Sequence, residues 1–324
     1  MTFPFDALRY HYARWRRRRD AEAGLPPLSA EERTRVRHFR DAFRRLPVNV
    51  LDDMTATEAD WAEAMNRLRE LALHADPRAF QRWDVIAARM AHTSSPATPV
   101  ELAALRAHPE WETRWRHVLR EVPAGRPVPY AEFPESSESL IQTVHHVMQL
   151  ERLTSHRVEN WNAIVEFGGG FGGMCRALHT LGFRGQYLIY DLPPMVLLQR
   201  WYLEQVGLGD DSHTRVATTS EFVELANFVR DIPAGAHALF LATWSLSEAP
   251  MALRERVKPL VERMGHYFIG FQGRYGEVDN AAYFAKSWLR ANHTERIAHR
   301  PDDFYMSGMA GVTAVAPPAA GGGT

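Results

Sequence analysis

The sequence predicts an α/β protein: a doubly wound, Rossmann-like sheet in its second half, preceded by a helical first half that forms a domain or lid. Three observations carry this. Residues 164–191 (IVEFGGGFGGMCRALHTLGFRGQYLIYD) read as strand, glycine turn, helix and a second strand ending in an acid. Beyond Trp161, short apolar runs alternate with helical segments, the pattern of a mostly parallel sheet. Before residue 155 the periodicity is helical, with no alternating strand pattern and no internal repeat.

In the first half, residues 57–75 place Trp61, Met65, Leu68 and Leu71/Ala72 at helical spacing, with Thr57 as N-cap. A helix over 98–106 has Pro99 in its first turn, where proline is favoured. Another over 136–153 is apolar at Leu140, Val144, Val147, Met148 and Leu150, after a proline-bearing break at 122–134. In the second half, strands are expected at 163–167, 186–190, 236–243 and 266–271. Helices are expected at 174–181, 194–206, 221–230, 251–264 and 281–292. Runs at 294–298 and 304–309 fit a final antiparallel edge pair. The expected division is a helical domain (1–155), a Rossmann-like domain (156–312) and a flexible, proline-, alanine- and glycine-rich tail (313–324).

At 324 residues, 45% hydrophobic and 24% charged, the chain can bury a sizeable core. A formal net charge of -1 gives no reason to expect nucleic acid or an anionic membrane as partner. The run Arg16–Arg19 reads as the solvated face of an N-terminal helix. A single cysteine, Cys175, excludes an intramolecular disulfide, and its place after the glycine turn suits a small buried residue. No signal-peptide pattern or apolar run of about 20 residues occurs, so a cytoplasmic protein with no membrane partner is expected.

The glycine turn narrows the ligand. Glycines let backbone N–H groups approach a ligand closely, and the helix behind them presents a positive dipole end. A pyrophosphate site usually has the spacing G-x-G-x-x-G. Here the string is Glu166, Gly168, Gly170 and Gly172, each two residues from the last. An acid on the strand end repels a pyrophosphate and suits a cationic ligand, which weakens a nicotinamide or flavin reading. The pattern resembles motif I of the class I S-adenosylmethionine-dependent methyltransferases over about residues 160–311. The resemblance implies a seven-stranded sheet and S-adenosyl-L-methionine as cofactor. It also implies that the glycine loop packs on the cofactor's methionine part and ribose. Asp191, which follows Gly172 by 19 residues (191 − 172), would accept from the ribose hydroxyls. Leu192 would lie near the adenine, and Thr243 would close the fourth strand beside the cofactor.

Ligands of open α/β sheets sit beyond the carboxyl ends of the strands. The segment after the fourth strand, Trp244 to Glu248, therefore overhangs the methyl donor. Glu248 is placed to orient an acceptor or take its proton, and equally to serve as a first-turn acid for the helix near Pro250. Trp244 can wall the acceptor pocket or merely cover the sheet end. His145 and His146 lie on a helix that could lid the site. Consecutive helix positions point about 100° apart, so at most one faces the cofactor, and packed histidines explain the pair as well. Tyr275 and Glu277, in the loop after the fifth strand, are candidate acceptor contacts; Asp279 and Asn280 suit a helix cap. His266 opens the fifth strand at the end away from the ligand. No metal site is read, because the 15 histidines are scattered.

Within the methyltransferases, EFGGGFGG (166–173), DLP (191–193), LLQRWYL (197–203) and TWSLSE (243–248) resemble a family of sugar O-methyltransferases. That implies a small-molecule acceptor, a place in natural-product biosynthesis, and a helical half that lids the site and offers a surface for a homodimer. Two acceptor readings stay open. Methylation of a sugar hydroxyl needs a base, Glu248 or one of His145 and His146. Methylation of a small amine or arginine-like guanidine would use Glu248, Glu277 and Trp244 to hold a cation. A methyltransferase fold that binds without turnover is a third reading. Protein or nucleic-acid methylation is disfavoured by the neutral charge and the lack of a recognition module.

Overall fold

The computed structural model describes residues 22–50, 54–91, 95–209, 215–287 and 293–309. The arginine run at 16–19 and the tail from residue 313 lie outside the described residues.

Helices α1 (Ala30–Arg45) and α2 (Ala56–His74) both begin in capping boxes. Ser29 Oγ accepts from the Glu32 N–H while Glu32 reaches back to the Ser29 N–H, and Thr55 and Glu58 repeat the pair. The N-cap of α2 is thus Thr55 in place of the expected Thr57. Thr55 has a glutamate three positions on, whereas Thr57 is followed there by Asp60, whose shorter side chain pairs with Arg89. Helix α3 (Thr98–Ala107) carries Pro99 in its first turn, and α4 (Glu138–Thr154) is capped by Ser137 Oγ, 3.1 Å from the Leu140 N–H. The expectation of no strand in this half is corrected by a small antiparallel hairpin, Pro129–Tyr130 with Phe133–Ser137. Its longer arm, FPESS, does not alternate between buried and exposed, so it carries no period-2 signal.

The second half forms strands β1 (Ala163–Phe167), β2 (Gln186–Tyr190), β3 (Val216–Thr219), β4 (Ala238–Thr243), β5 (Gly265–Gln272), β6 (His293–Arg296) and β7 (Asp303–Met309). Helices α5 (Gly173–Thr180), α6 (Pro193–Gln205), α7 (Phe222–Asp231), α8 (Met251–Met264) and α9 (Asn280–Ser287) connect or follow them. The sheet order is β6-β7-β5-β4-β1-β2-β3. Strands β1 to β5 are parallel, and β7 runs antiparallel between β5 and β6. This is the Rossmann-like seven-stranded sheet that the methyltransferase resemblance implies. The expected α9 reaches residue 292; residues 288–292 lie outside the described residues.

All five residues of β1 are buried, as a strand covered on both faces requires. Ile164 enters the core shared with the N-terminal helices, beside Phe43, Leu68 and Val144. Val165 faces the opposite core with Phe240, Val257 and Ile269. Each such side chain contributes about 1.5–3 kcal/mol of burial. Helices α1 and α2 pack on α6. The Trp201 indole of α6 donates to the Pro77 carbonyl at 3.2 Å, just after α2. The N-terminal helices are thereby brought over the carboxyl ends of the strands. Chain order reverses between β1 and β4, which opens the ligand crevice there. Among the described residues no helix is long and apolar enough to cross a membrane.

Candidate active site

The turn after β1 is held open by its glycines. Gly168 has φ 71°, and a Cβ there would meet Ser245 Cβ at 2.2 Å. Ser245 comes this close because its hydroxyl donates to the Phe167 carbonyl. Gly170 also has positive φ (56°), but a Cβ there would find nothing nearer than Met90 at 3.7 Å.

Asp191 stands at the end of β2 with its carboxylate already oriented. Oδ1 accepts from the Leu192 N–H at 2.7 Å, and Oδ2 from the Gln199 amide at 2.8 Å. The same amide donates to the Gly170 carbonyl at 2.8 Å, so Gln199 ties the glycine turn to the acid. Burial pushes the Asp191 carboxyl up to about 7, against the opposing hydrogen bonds from Leu192, Gln199 and Gly170.

Glu166 is only 3% exposed and takes a 2.8 Å hydrogen bond from the Tyr187 hydroxyl. Burial raises its carboxyl to about 8; the Tyr187 bond opposes this and the Asp191 charge adds to it. An acid raised above its ordinary value binds its proton more readily in the folded state. Its stabilising effect is therefore complete below about pH 4.5 and is lost as pH rises towards 8. Asp191 acts in the same direction. Glu166→Gln is expected to flatten the fall in melting temperature between about pH 5 and 8 and to raise it at the alkaline end. An unchanged slope in thermal melts across that range would show that Glu166 is ionised and satisfied at neutral pH.

A cavity of about 440 Å³ opens beyond these strand ends. Gly168, Gly170, Asp191, Leu192 and Thr243 line one part of it; Trp61 and Met65 of α2, with Arg89, Trp244 and Glu248, line another. Glu166 and Gly172 lie outside its walls. Glu166 sits beneath the turn, where a Cβ on Gly169 would come within 2.8 Å of its Oε2.

Glu248 lies in the one-turn helix Ser245–Glu248. Its Oε2 accepts from Trp61 Nε1 at 3.1 Å and its Oε1 from Gln272 Nε2 at 3.0 Å. Burial raises its carboxyl above the usual range, opposed by those two donors and by Arg89. Arg89 lies over the Trp61 ring at 4.9 Å and pairs with Asp60 at 2.8 Å. Trp244 joins β4 to this helix with φ 65°, a left-handed conformation costing a non-glycine residue on the order of 1–3 kcal/mol. Its N–H donates to the Gly270 carbonyl at 2.7 Å, and its carbonyl accepts from Ser247 Oγ at 2.6 Å, which holds the kink.

The two histidines of α4 are buried and lie outside the cavity walls. His146 packs on the Trp244 ring, centroids 4.8 Å apart, with Nδ1 2.6 Å from the Tyr305 hydroxyl. Burial, helped by His299 and Arg300, lowers His145 to about 3. Tyr275 falls in the hairpin of Arg274–Tyr275 with Val278–Asp279; burial, then the Glu248 and Asp60 charges, raise its hydroxyl. Glu277 is exposed in the turn of that hairpin, and neither residue lines the cavity. Cys175 is fully buried, and burial pushes its thiol well up.

Sequence reasoning missed Gln199, Ser245, Arg89 and the cavity role of Trp61. Gln199 and Ser245 each lie inside a quoted motif, which was the available signal. Trp61 read as one more apolar position on α2.

No protein-family model matches the chain, and no curated protein matches it. Among solved structures it is similar to an S-adenosylmethionine-dependent methyltransferase from Mesorhizobium loti (14% identity, covering 50% of this chain and 97% of that one, TM-score 0.34). It is also similar to an rRNA methylase from Escherichia coli (12%, 83% and 98%, TM-score 0.36). A third is the mitomycin 7-O-methyltransferase MmcR (16%, 86% and 95%, TM-score 0.35). At such scores the matches say nothing of the acceptor, and the functional reading rests on the site's own residues.

Proposed function

We propose that this protein transfers the methyl group of S-adenosylmethionine to a hydroxyl of a small molecule, a sugar or similar metabolite. The observation that carries this reading is one cavity shared by the glycine turn, Asp191 and the half-buried acid Glu248. The turn and Asp191 fit the cofactor's shape: an open approach at Gly170 and an oriented acceptor pair for ribose hydroxyls, with Leu192 and Thr243 beside them. Bound there, the cofactor supplies an electrophilic methyl group.

The residues of this chain then have two tasks, orienting the acceptor and taking its proton. Glu248 is suited to the second. A carboxylate raised by burial is a better base than an exposed one, and Trp61 and Gln272 fix both of its oxygens. Glu248 would accept the hydroxyl proton as the acceptor oxygen takes the methyl group that the bound cofactor would supply. Methyl ether and S-adenosylhomocysteine are the products.

Arg89 favours a hydroxyl over an amine or guanidine. Its guanidinium already lies on the Trp61 face while pairing with Asp60, so that aromatic face is not open to a second cation.

Incubation with cofactor and a panel of sugars, hydroxylated metabolites, amines and guanidines, read by mass spectrometry, tests the reading. Methylation on oxygen with matching release of S-adenosylhomocysteine is expected. Products methylated only on nitrogen would sink the hydroxyl reading, and no turnover of any acceptor would favour a binding protein.

A further inference from the structure

Three histidines converge at the end of the sheet opposite the cavity. His156 follows α4, His237 directly precedes β4, and His266 is the second residue of β5. One ring nitrogen of each lies within 4.8 Å of those offered by the other two. The backbone fixes this meeting: Leu239 pairs with His266 in the β4–β5 ladder, and the His237 N–H donates to Asn162 Oδ1 at 3.0 Å. The Trp161 ring packs against both His156 and His266, with centroids 5.0 Å away in each case.

One tautomer is set as well. His156 Nδ1 lies 2.6 Å from the Thr154 carbonyl oxygen. A carbonyl only accepts, so Nδ1 carries the proton and Nε2 keeps a free lone pair. A backbone carbonyl orienting one ring nitrogen while the other binds metal is the usual outer support of a histidine ligand.

We propose that His156, His237 and His266 bind one divalent first-row transition ion, zinc by preference, with the fourth position open to water. Imidazole nitrogens suit zinc, copper and nickel, and three of them with an open position form a known zinc geometry. In a tetrahedral site with Zn–N near 2.0–2.1 Å the nitrogens stand about 3.3 Å apart, so the rings need close only modestly. The nearest cation in sequence, Arg157, is turned to Glu110 at 2.7 Å and Glu151 at 3.7 Å.

A second group, Glu101, His145 and His299, meets the same distance criterion. There the Arg300 guanidinium donates to Glu101 Oε1 at 3.0 and 3.2 Å, so a fixed positive charge already balances the carboxylate and would repel an incoming cation. The three-histidine site has no such competitor among the described residues, and His237 is exposed, so an ion can enter from solvent.

The bound ion would strap the turn after α4 to the bases of β4 and β5. It would sit a strand's length from the methyl chemistry, about 20 Å for six residues, so its readout is metal content and stability. The test is calorimetric titration of the chelator-stripped full chain with zinc chloride, followed by metal analysis, thermal melts and the visible spectrum with cobalt. One equivalent of zinc, a higher melting temperature and tetrahedral cobalt bands are expected. His237→Ala, at an exposed position, is expected to weaken binding by about 100-fold or more while leaving the metal-free melting temperature unchanged. His266→Gln should also lose the ion. The proposal is overturned by absence of binding at sub-millimolar zinc. It is equally overturned by one equivalent bound with unchanged affinity in His237→Ala, which would assign the ion to Glu101, His145 and His299.

Discussion

Asp191→Ala is expected to raise the dissociation constant for S-adenosylmethionine by roughly 100-fold or more. Each hydrogen bond from a ribose hydroxyl to a carboxylate is worth about 1.5–3 kcal/mol, and 1.4 kcal/mol is a factor of ten. The carboxylate is held ready by the Leu192 N–H and the Gln199 amide, so no ordering cost offsets the gain. The fold should survive, because an acid that burial raises to about 7 is a burden on the folded state at neutral pH. Calorimetry with wild type, Asp191→Ala and Asp191→Asn checks this, with circular dichroism as the control for folding. Asparagine keeps one acceptor oxygen and should fall between the other two. Wild-type affinity in the alanine variant would remove Asp191 from the cofactor site.

Glu248→Gln is expected to lower kcat by about 100- to 10,000-fold, the usual contribution of a positioned base, with cofactor affinity little changed. Glutamine keeps the size but cannot take a proton. It also turns an NH2 group towards one of the two donors, Trp61 or Gln272, that now face acceptor oxygens. Glu248→Asp separates the effects by keeping the base on a shorter arm. Activity of the wild type should fall on the acid side at a pH above the ordinary carboxylate range, because burial raises this carboxyl. That limb should vanish from the residual activity of Glu248→Gln. A pH profile and kcat that the substitution leaves intact would assign the proton to another group.

The centre of the fold was legible because its signals are local. Every residue of β1 is buried, four of them apolar and the fifth Glu166, and the glycines mark a loop that a Cβ at Gly168 would obstruct. Strand β3 was invisible by itself: VATT has only Val216 and Thr219 buried, and the strand lies at the sheet edge, where little apolar signal is required. Glu248 was legible as a position following β4. Its surroundings were not, since Trp61 lies 187 residues away and helical spacing cannot distinguish a core face from a cavity wall. The histidine triad escaped for the same reason, its members coming from three separate segments.

The hydrogen bond between Trp61 and Glu248 ties helix α2 to the far wall of the cavity. A fragment holding only the sheet and its flanking helices would lack one wall of the cavity and one of the two donors to Glu248. Undocking of α2 and ligand occupancy are then coupled equilibria. A ligand that touches both walls binds only the docked form, so its binding free energy adds to the work of lifting the helix away. Occupied and empty protein should differ most in how often this helix lets go.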